Sequence, residues 1–354
     1  MKIEIQKYRL NFTFEARTSR GVMTSKESWF IKLYDAENPE IFGIGECGPL
    51  QGLSPDLNGK LAEIMRDLLH EVTATDHLEL ADLEKIIPVN YPALRFAMET
   101  AILDLRNGGK RILYENEFTK SLRSIPINGL VWMGDKQAMI QRIMDKINEG
   151  YTCIKIKIGA IDFEDELALL KFIRSQFSSD QVTIRLDANG AFKITDAPGI
   201  LNRLSAFDIH SIEQPITAGN WLAMEKLCNL SPIPIALDEE LIGLHDQKYK
   251  IELLEKIRPS YIILKPTLIG GLHKSEEWIE LATKLNIGWW ITSALESNIG
   301  LNAIAQFTAN YPTDIPQGLG TGQLYHNNIP SPLSIKRGAL IHDNFANWDL
   351  SNLG

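Results

Sequence analysis

The sequence predicts an α/β protein in which a β/α barrel is joined to a smaller α+β module. Three observations predict it. From Ile125 onward, short β-branched runs alternate with helical stretches; there are eight such runs; and five consecutive runs end in charged residues. The length of 354 residues suits this division, because a barrel of roughly 250 residues leaves room for one companion domain.

The first 120 residues read as the α+β module. Ile3 to Phe14 alternates apolar and polar residues, as a half-buried strand does. Glu27 to Tyr34 (ESWFIKLY) can pair with it across the polar segment Arg17 to Lys26, giving a hairpin with a long tip. Gly43, Gly45, Gly48 and Gly52, within GIGECGPLQGLSPD, read as a loop because Gly and Pro interrupt regular structure. Helices are expected near Leu57 to Leu69 and Pro92 to Asn107. In the second, Leu94, Ala97, Met98, Ala101, Ile102 and Leu105 share one face.

The eight runs are IPINGLVW, TCIKIKIG, VTIRLDANG, DIHSIEQPI, IPIALDEE, YIILKPTLIG, IGWWITSALE and IPQGLGTG. Their spacing of about 25 to 30 residues is what roughly 250 residues divided among eight units gives. Helices are expected between them, for example over Asp162 to Phe177 and His273 to Leu285. A doubly wound sheet would also alternate strands and helices. No G-x-G-x-x-G follows the first run, however, and polar residues recur at the C-terminal ends of the runs, where a barrel places its active site. The tail from Tyr325 to Gly354 lacks a strong period and is expected to pack back on the first module. The division is thus residues 1–120 for the module, 121–324 for the barrel and 325–354 for the tail.

A net charge of -9 excludes broad binding to nucleic acid or anionic membrane, which needs a surplus of Lys and Arg. A small molecule is the expected partner, and the oligomeric state stays open. Cys47, Cys153 and Cys228 are odd in number and scattered, so they form neither a zinc cluster nor a full disulfide set. The N-terminus has no continuous apolar segment of the signal-peptide kind, and no stretch approaches the roughly 20 apolar residues of a membrane span. A cytoplasmic location is expected.

The second run ends in Lys155 and Lys157, the third in Asp187, the fourth in Glu213, the fifth in Asp238 and Glu239, and the sixth in Lys265. Side chains alternate along a strand, so Lys155 and Lys157 lie on one side, which in a barrel is the interior. A cationic pair there is costly without anions nearby, and the next three strands supply them. Three acids from adjacent strands suit a hard cation with oxygen ligands, so Mg²⁺ is favoured over Zn²⁺, with Mn²⁺ as the alternative. Such a cation stabilises the enediolate formed when the carbon beside a carboxylate loses its proton. Lys157 is the expected base, and Lys265 either an acid/base on the opposite face or a cation facing the intermediate. Singly, each residue has a plainer reading: Asp as a helix cap, K-x-K as a solvated edge, Lys265 as loop surface. Their common position at one end of five successive strands is what sets those readings aside.

KIKIG, RLDANG, IEQP, ALDE and ILKP, in this order, resemble the enolase superfamily, specifically its muconate-lactonizing subgroup with lysines on the second and sixth strands. The resemblance spans nearly the whole chain. It implies a (β/α)7β modified TIM barrel with an α+β capping domain that the C-terminal tail completes. It also implies Asp187, Glu213 and Asp238 as metal ligands, Lys157 as general base and Lys265 as its partner across the site. Lys155 would help hold the substrate carboxylate, Asn189 would orient the substrate, and Glu239 would support the ligands from behind.

Within the subgroup, GECGPLQGLSPD, RFAMETAILDL, IPINGLVWMG and SALESNIGLNAIAQ resemble the o-succinylbenzoate synthases of menaquinone biosynthesis. The implied reaction dehydrates 2-succinyl-6-hydroxy-2,4-cyclohexadiene-1-carboxylate, with Lys157 acting on one face and Lys265 serving as a cation. Ser293, Thr321 and the loops Thr18 to Met23 and Leu50 to Ser54 would meet the distal succinyl group. The rivals are a dipeptide epimerase or N-acylamino acid racemase using both lysines as bases, muconate cycloisomerase, and a catalytically silent barrel scaffold. Dipeptide epimerases tend to carry D-x-D on the last strand, where this chain has GLGTG.

Overall fold

The computed structural model describes residues 1–18, 21–75, 77–312 and 314–353. A hairpin opens the chain: β1 (Lys2–Thr18) pairs antiparallel with β2 (Gly21–Tyr34), from Lys2 opposite Tyr34 to Thr18 opposite Gly21. The segment expected as a long tip is therefore nearly all strand. Its polarity misled: strand pairing continues through it, and Lys26 within it is buried. Ser19 and Arg20, within the loop expected at Thr18 to Met23, lie outside the described residues.

A second correction concerns the glycine-rich stretch. Phe42–Cys47 is a strand, β3, antiparallel to β2. Three helices follow: α1 (Leu61–Thr73), α2 (Leu83–Ile86) and α3 (Pro92–Arg106). The glycines of β3 are required because α3 lies directly on it: a Cβ at Gly43 or Gly45 would stand 1.9 Å from the carbonyl oxygen of Ala101 or Ala97. Glycine here marks close backbone approach and not a loop. The start of α3 carries Pro92, whose missing N–H costs nothing at that position. The Asp56 carboxylate accepts from the next two amides, Ala93 N and Leu94 N.

The barrel comprises β4 (Ile125–Pro126), β5 (Gly129–Val131), α4 (Lys136–Asn148), β6 (Cys153–Lys157), α5 (Phe163–Gln176), β7 (Thr183–Asp187), α6 (Ala197–Leu204) and β8 (Ile209–Glu213). It continues through α7 (Trp221–Leu230), β9 (Ile235–Leu237), α8 (Gln247–Ile257), β10 (Tyr261–Leu264), α9 (Pro266–Ile269), α10 (Leu272–Lys284), β11 (Gly288–Ile291) and α11 (Asn298–Thr308). Strands β5 to β11 form one parallel seven-stranded sheet in chain order. The eighth run is not a regular strand. It contributes single bridges, Gln317 to Ile127 and Gly318 to Thr292, that connect the two edges of the sheet. This is the (β/α)7β form of the barrel.

The outward-facing strand residues, among them Ile154, Ile156, Ile184, Leu186 and Ile212, pack under the helices in one continuous core. Burying each such side chain stabilises by about 1.5 to 3 kcal/mol. Five helices of the barrel begin at a side-chain cap, Asp135, Asp162, Asn220, Asp246 and Ser297, each satisfying an amide the helix leaves unpaired.

The tail divides its contacts. Tyr325 bridges Phe12, and Ile329 and Leu353 pack with Phe30 and Ile44 of the first module. The tail hairpin β12 (Leu333–Lys336) and β13 (Ala339–His342) instead pairs with β4 at the base of the barrel, which its weak sequence period did not announce. Among the described residues, no helix is long and apolar enough to cross a membrane.

Candidate active site at the barrel mouth

Strand register assembles the site. Lys157 pairs with Asp187, and Asp187 with Glu213, so these three stand in one row on adjacent strands with their side chains on the same face. Asp238 follows β9 by one residue, and Lys265 follows β10 by one. Beyond β7 the chain turns through Asn189 (φ 46°) and Gly190 (φ 75°), two residue types that enter the left-handed region readily. The turn brings Asn189 back over the strand end. There its backbone N–H donates to Asp187 Oδ1 at 3.0 Å and its side-chain Oδ1 accepts from Lys157 Nζ at 2.8 Å.

The charged groups interlock. Lys157 Nζ also reaches Asp187 Oδ2 at 2.9 Å. Lys155 Nζ lies between Asp187 Oδ2, at 3.0 Å, and Glu213 Oε2. Lys265 Nζ contacts Asp238 Oδ2 and stands 3.6 Å from Glu213 Oε1. All three acids are buried. Burial alone would neutralise Lys265, but Asp238, Glu213, Glu239 and Asp187 outweigh it and hold its pKa well above the ordinary lysine value. Lys155 is likewise raised: burial works against its charge, and Asp187 and Glu213 overcome it. Asp187 is the counterpart, pressed upward by burial and pulled well below the carboxylate range by Lys155, Lys157 and Lys265.

Among the described residues, no three metal-binding side chains are drawn together closely enough to enclose an ion. Lysine ammoniums bridge the acids instead: Lys155 joins Asp187 to Glu213, and Lys265 joins Glu213 to Asp238. Those ammoniums show that the space between the acids accommodates positive charge. Glu213 Oε1 is buried and accepts no hydrogen bond, an orphaned acceptor of the kind a cation satisfies. The donors are all carboxylate oxygens, which fits a hard divalent cation and not a soft one.

A cavity of about 390 Å³ opens above this row, and Lys155, Lys157, Asp187, Asn189, Lys265, Ser293 and Thr321 all line it. Glu213 and Asp238 are not in its lining but contact Lys155 and Lys265, which are, and Glu239 accepts from Asn189 Nδ2 at 3.3 Å. Val22, Met23, Leu50, Gln51 and Leu53 form the outer wall, whereas Ser54 turns away to bond Leu50 N. Ser293 donates to Gly318 O and accepts from Thr321 Oγ1, both at 3.0 Å.

Sequence reasoning missed Asn128, Trp132, Thr292 and Leu295, which also line the cavity. Trp132 places its ring 5.9 Å from Lys157 Nζ, and Asn128 Oδ1 and Thr292 Oγ1 are buried without a partner. The one available signal was position, since Asn128 and Trp132 fall within the first run and Thr292 and Leu295 within the seventh.

Residues 138–343 match the family described as enolase C-terminal domain-like. An o-succinylbenzoate synthase of Desulfotalea psychrophila is 46% identical, covering 96% of this chain and 98% of that one. The crystal structure of MenC from the same organism superposes with a TM-score of 0.87 at 43% identity, covering 96% of this chain and 99% of that chain. A dipeptide epimerase of Enterococcus faecalis, solved with Mg and the dipeptide L-Leu-L-Tyr, has a TM-score of 0.83 at 21% identity, covering 98% of this chain and 97% of that chain, a likeness of fold.

Proposed function

The chain belongs to the enolase C-terminal domain-like family, and from that premise we propose that it acts as an o-succinylbenzoate synthase, dehydrating 2-succinyl-6-hydroxy-2,4-cyclohexadiene-1-carboxylate to 2-succinylbenzoate in menaquinone biosynthesis. One observation carries the reading: the synthase matched over 96% of this chain and 98% of its own is 46% identical, whereas the epimerase, matched over as much of the chain, is 21% identical and shares the fold alone.

In this reading Lys157 is the base. Its unprotonated amine removes the hydrogen from the carbon bearing the carboxylate. The electron pair left behind delocalises into the carboxylate as an enediolate, whose collapse forms the ring double bond as the neighbouring C–O bond breaks, and the proton on Lys157 goes to the departing hydroxide, releasing water. Asp187 and Asn189 fix the Lys157 amine at two points. Lys265, held charged by the acids around it, faces the reacting carbon as a cation. Lys155 draws in the substrate carboxylate. Asp187, Glu213 and Asp238 would hold Mg²⁺, or Mn²⁺ in its place, which when bound supplies charge against the second negative charge of the enediolate. Ser293 and Thr321 line the cavity where the distal succinyl group would lie.

The test is direct. Purified protein with Mg²⁺ and the cyclohexadiene substrate should produce the ultraviolet band of the aromatic product, and Lys157→Ala should lower kcat by about 10²- to 10⁴-fold, the usual worth of a positioned base. Exchange of an α-proton in a dipeptide or N-acyl amino acid, without dehydration, would reject the assignment.

A further inference from the structure

Leu295, in the loop between β11 and α11, has φ 63°. That left-handed backbone crowds the Cβ of a leucine, and it persists only where the surroundings over-determine it. Two buried donors from distant parts of the chain converge on the carbonyl oxygen of Leu295. Lys26 Nζ, from β2, reaches it at 3.0 Å, and the Tyr325 hydroxyl, from the start of the tail, at 2.7 Å. Lys26 is 6% exposed and Tyr325 5%.

Both donors are themselves anchored. Lys26 stands 3.8 Å from Glu46 Oε1, and the Tyr325 ring packs on Phe12 with centroids 4.7 Å apart. The loop on either side of Leu295 is pinned as well, with Ala294 N donating to Glu296 at 2.6 Å and Ser297 N to Glu46 at 2.9 Å. A lysine ammonium taken out of water needs strong partners, and the shortest contact of this one, ahead of Ser28 Oγ at 3.5 Å and Glu46 Oε1 at 3.8 Å, is the Leu295 carbonyl. The residue so held is a pocket residue: Leu295 lines the cavity and packs with Trp132 and Leu324.

We propose that Lys26 and Tyr325 are positioning residues that set substrate specificity, locking the left-handed turn at Leu295 so that its side chain forms the wall against the unreacting arm of the substrate. The assignment of that arm rests on the dehydration reading above. The clamp has a consequence for the whole site: the apolar half of the pocket is shaped by the β1–β2 hairpin and the tail, at a distance from the strand ends that do the chemistry.

Tyr325→Phe removes one hydrogen bond and leaves every buried charge in place, so it is the primary variant, with Lys26→Met as the stronger one. Tyr325→Phe should raise KM about fivefold, and Lys26→Met more, while kcat stays within about twofold, the pattern of lost uniform binding. Amide hydrogen exchange over residues 293–297 should speed up in the same variants. In a Leu295→Gly background, where the turn is unstrained, Tyr325→Phe should add no further change in KM. Unchanged exchange and KM in Tyr325→Phe, or a full effect persisting in Leu295→Gly, would overturn the clamp. The exchange measurement needs no substrate, so it judges the clamp even where failure of the wild type to dehydrate the cyclohexadiene rejects the functional reading.

Discussion

Lys157 and Lys265 enter the pocket from opposite sides of the acid row, yet their surroundings divide their labour. Lys157 meets one carboxylate and one neutral amide. Lys265 sits against Asp238 and near Glu213, and a cation so enclosed keeps its proton. A different residue tests the electrostatics away from the site. His210 stacks on Tyr261 with centroids 5.1 Å apart, and burial, helped by Arg185, pushes its pKa down from 6.5 to about 4. A depressed histidine contributes stability that is fully present above pH 6.5 and is lost as the pH falls toward 4. His210→Gln should therefore lose less of its urea midpoint between pH 7 and pH 5 than the wild type does; equal losses would contradict the assignment. The charged site residues were legible because a charge at the end of an apolar run stands out. Asn128, Thr292 and Leu295 were not, being neutral residues whose role depends on how the barrel edges meet.

Among the elements, the runs that became β6 to β10 were legible because their outward faces are β-branched and leucine residues buried under the helices, such as Ile154, Ile156, Ile184 and Leu186. Phe42–Cys47 was missed because its glycines answer to α3, a partner some 50 residues on that local pattern does not contain. The eighth run failed as a strand because only Gln317 and Gly318 bridge, and hydrogen-bonding extent is not written in composition. Helix starts follow simpler rules. Asp246 accepts from Lys248 N at 2.8 Å at the exposed start of α8. Asp246→Ala should cost about 1 kcal/mol of stability in denaturant unfolding, as a lost cap does, with kcat unchanged because α8 contributes nothing to the cavity lining.

At the scale of the molecule, buried carboxylates of the first module fasten it to the barrel by capping helices across the junction. Glu46 accepts from Ser297 N, Ser297 Oγ and Gly300 N of α11, and Glu99 from Leu272 N and His273 N of α10. Glu46→Ala would strand those donors and the nearby Lys26, and unfolding should become easier by about 3 to 5 kcal/mol. The alternation of runs and helices disclosed the two-part architecture, but not these joints, which pair residues some 170 to 250 positions apart. Chelation offers a separate check: removing divalent metal should abolish turnover while the far-ultraviolet circular dichroism of this hydrogen-bonded fold is retained. The central claim is the inequality of the two lysines, and the dehydration rates of Lys157→Arg and Lys265→Arg, measured side by side, test it most directly. Arginine keeps the charge and cannot serve as a base, so Lys265→Arg should retain measurable dehydration while Lys157→Arg falls to the background of Lys157→Ala. Equal loss in both variants would show that both lysines transfer protons, and would contradict the account.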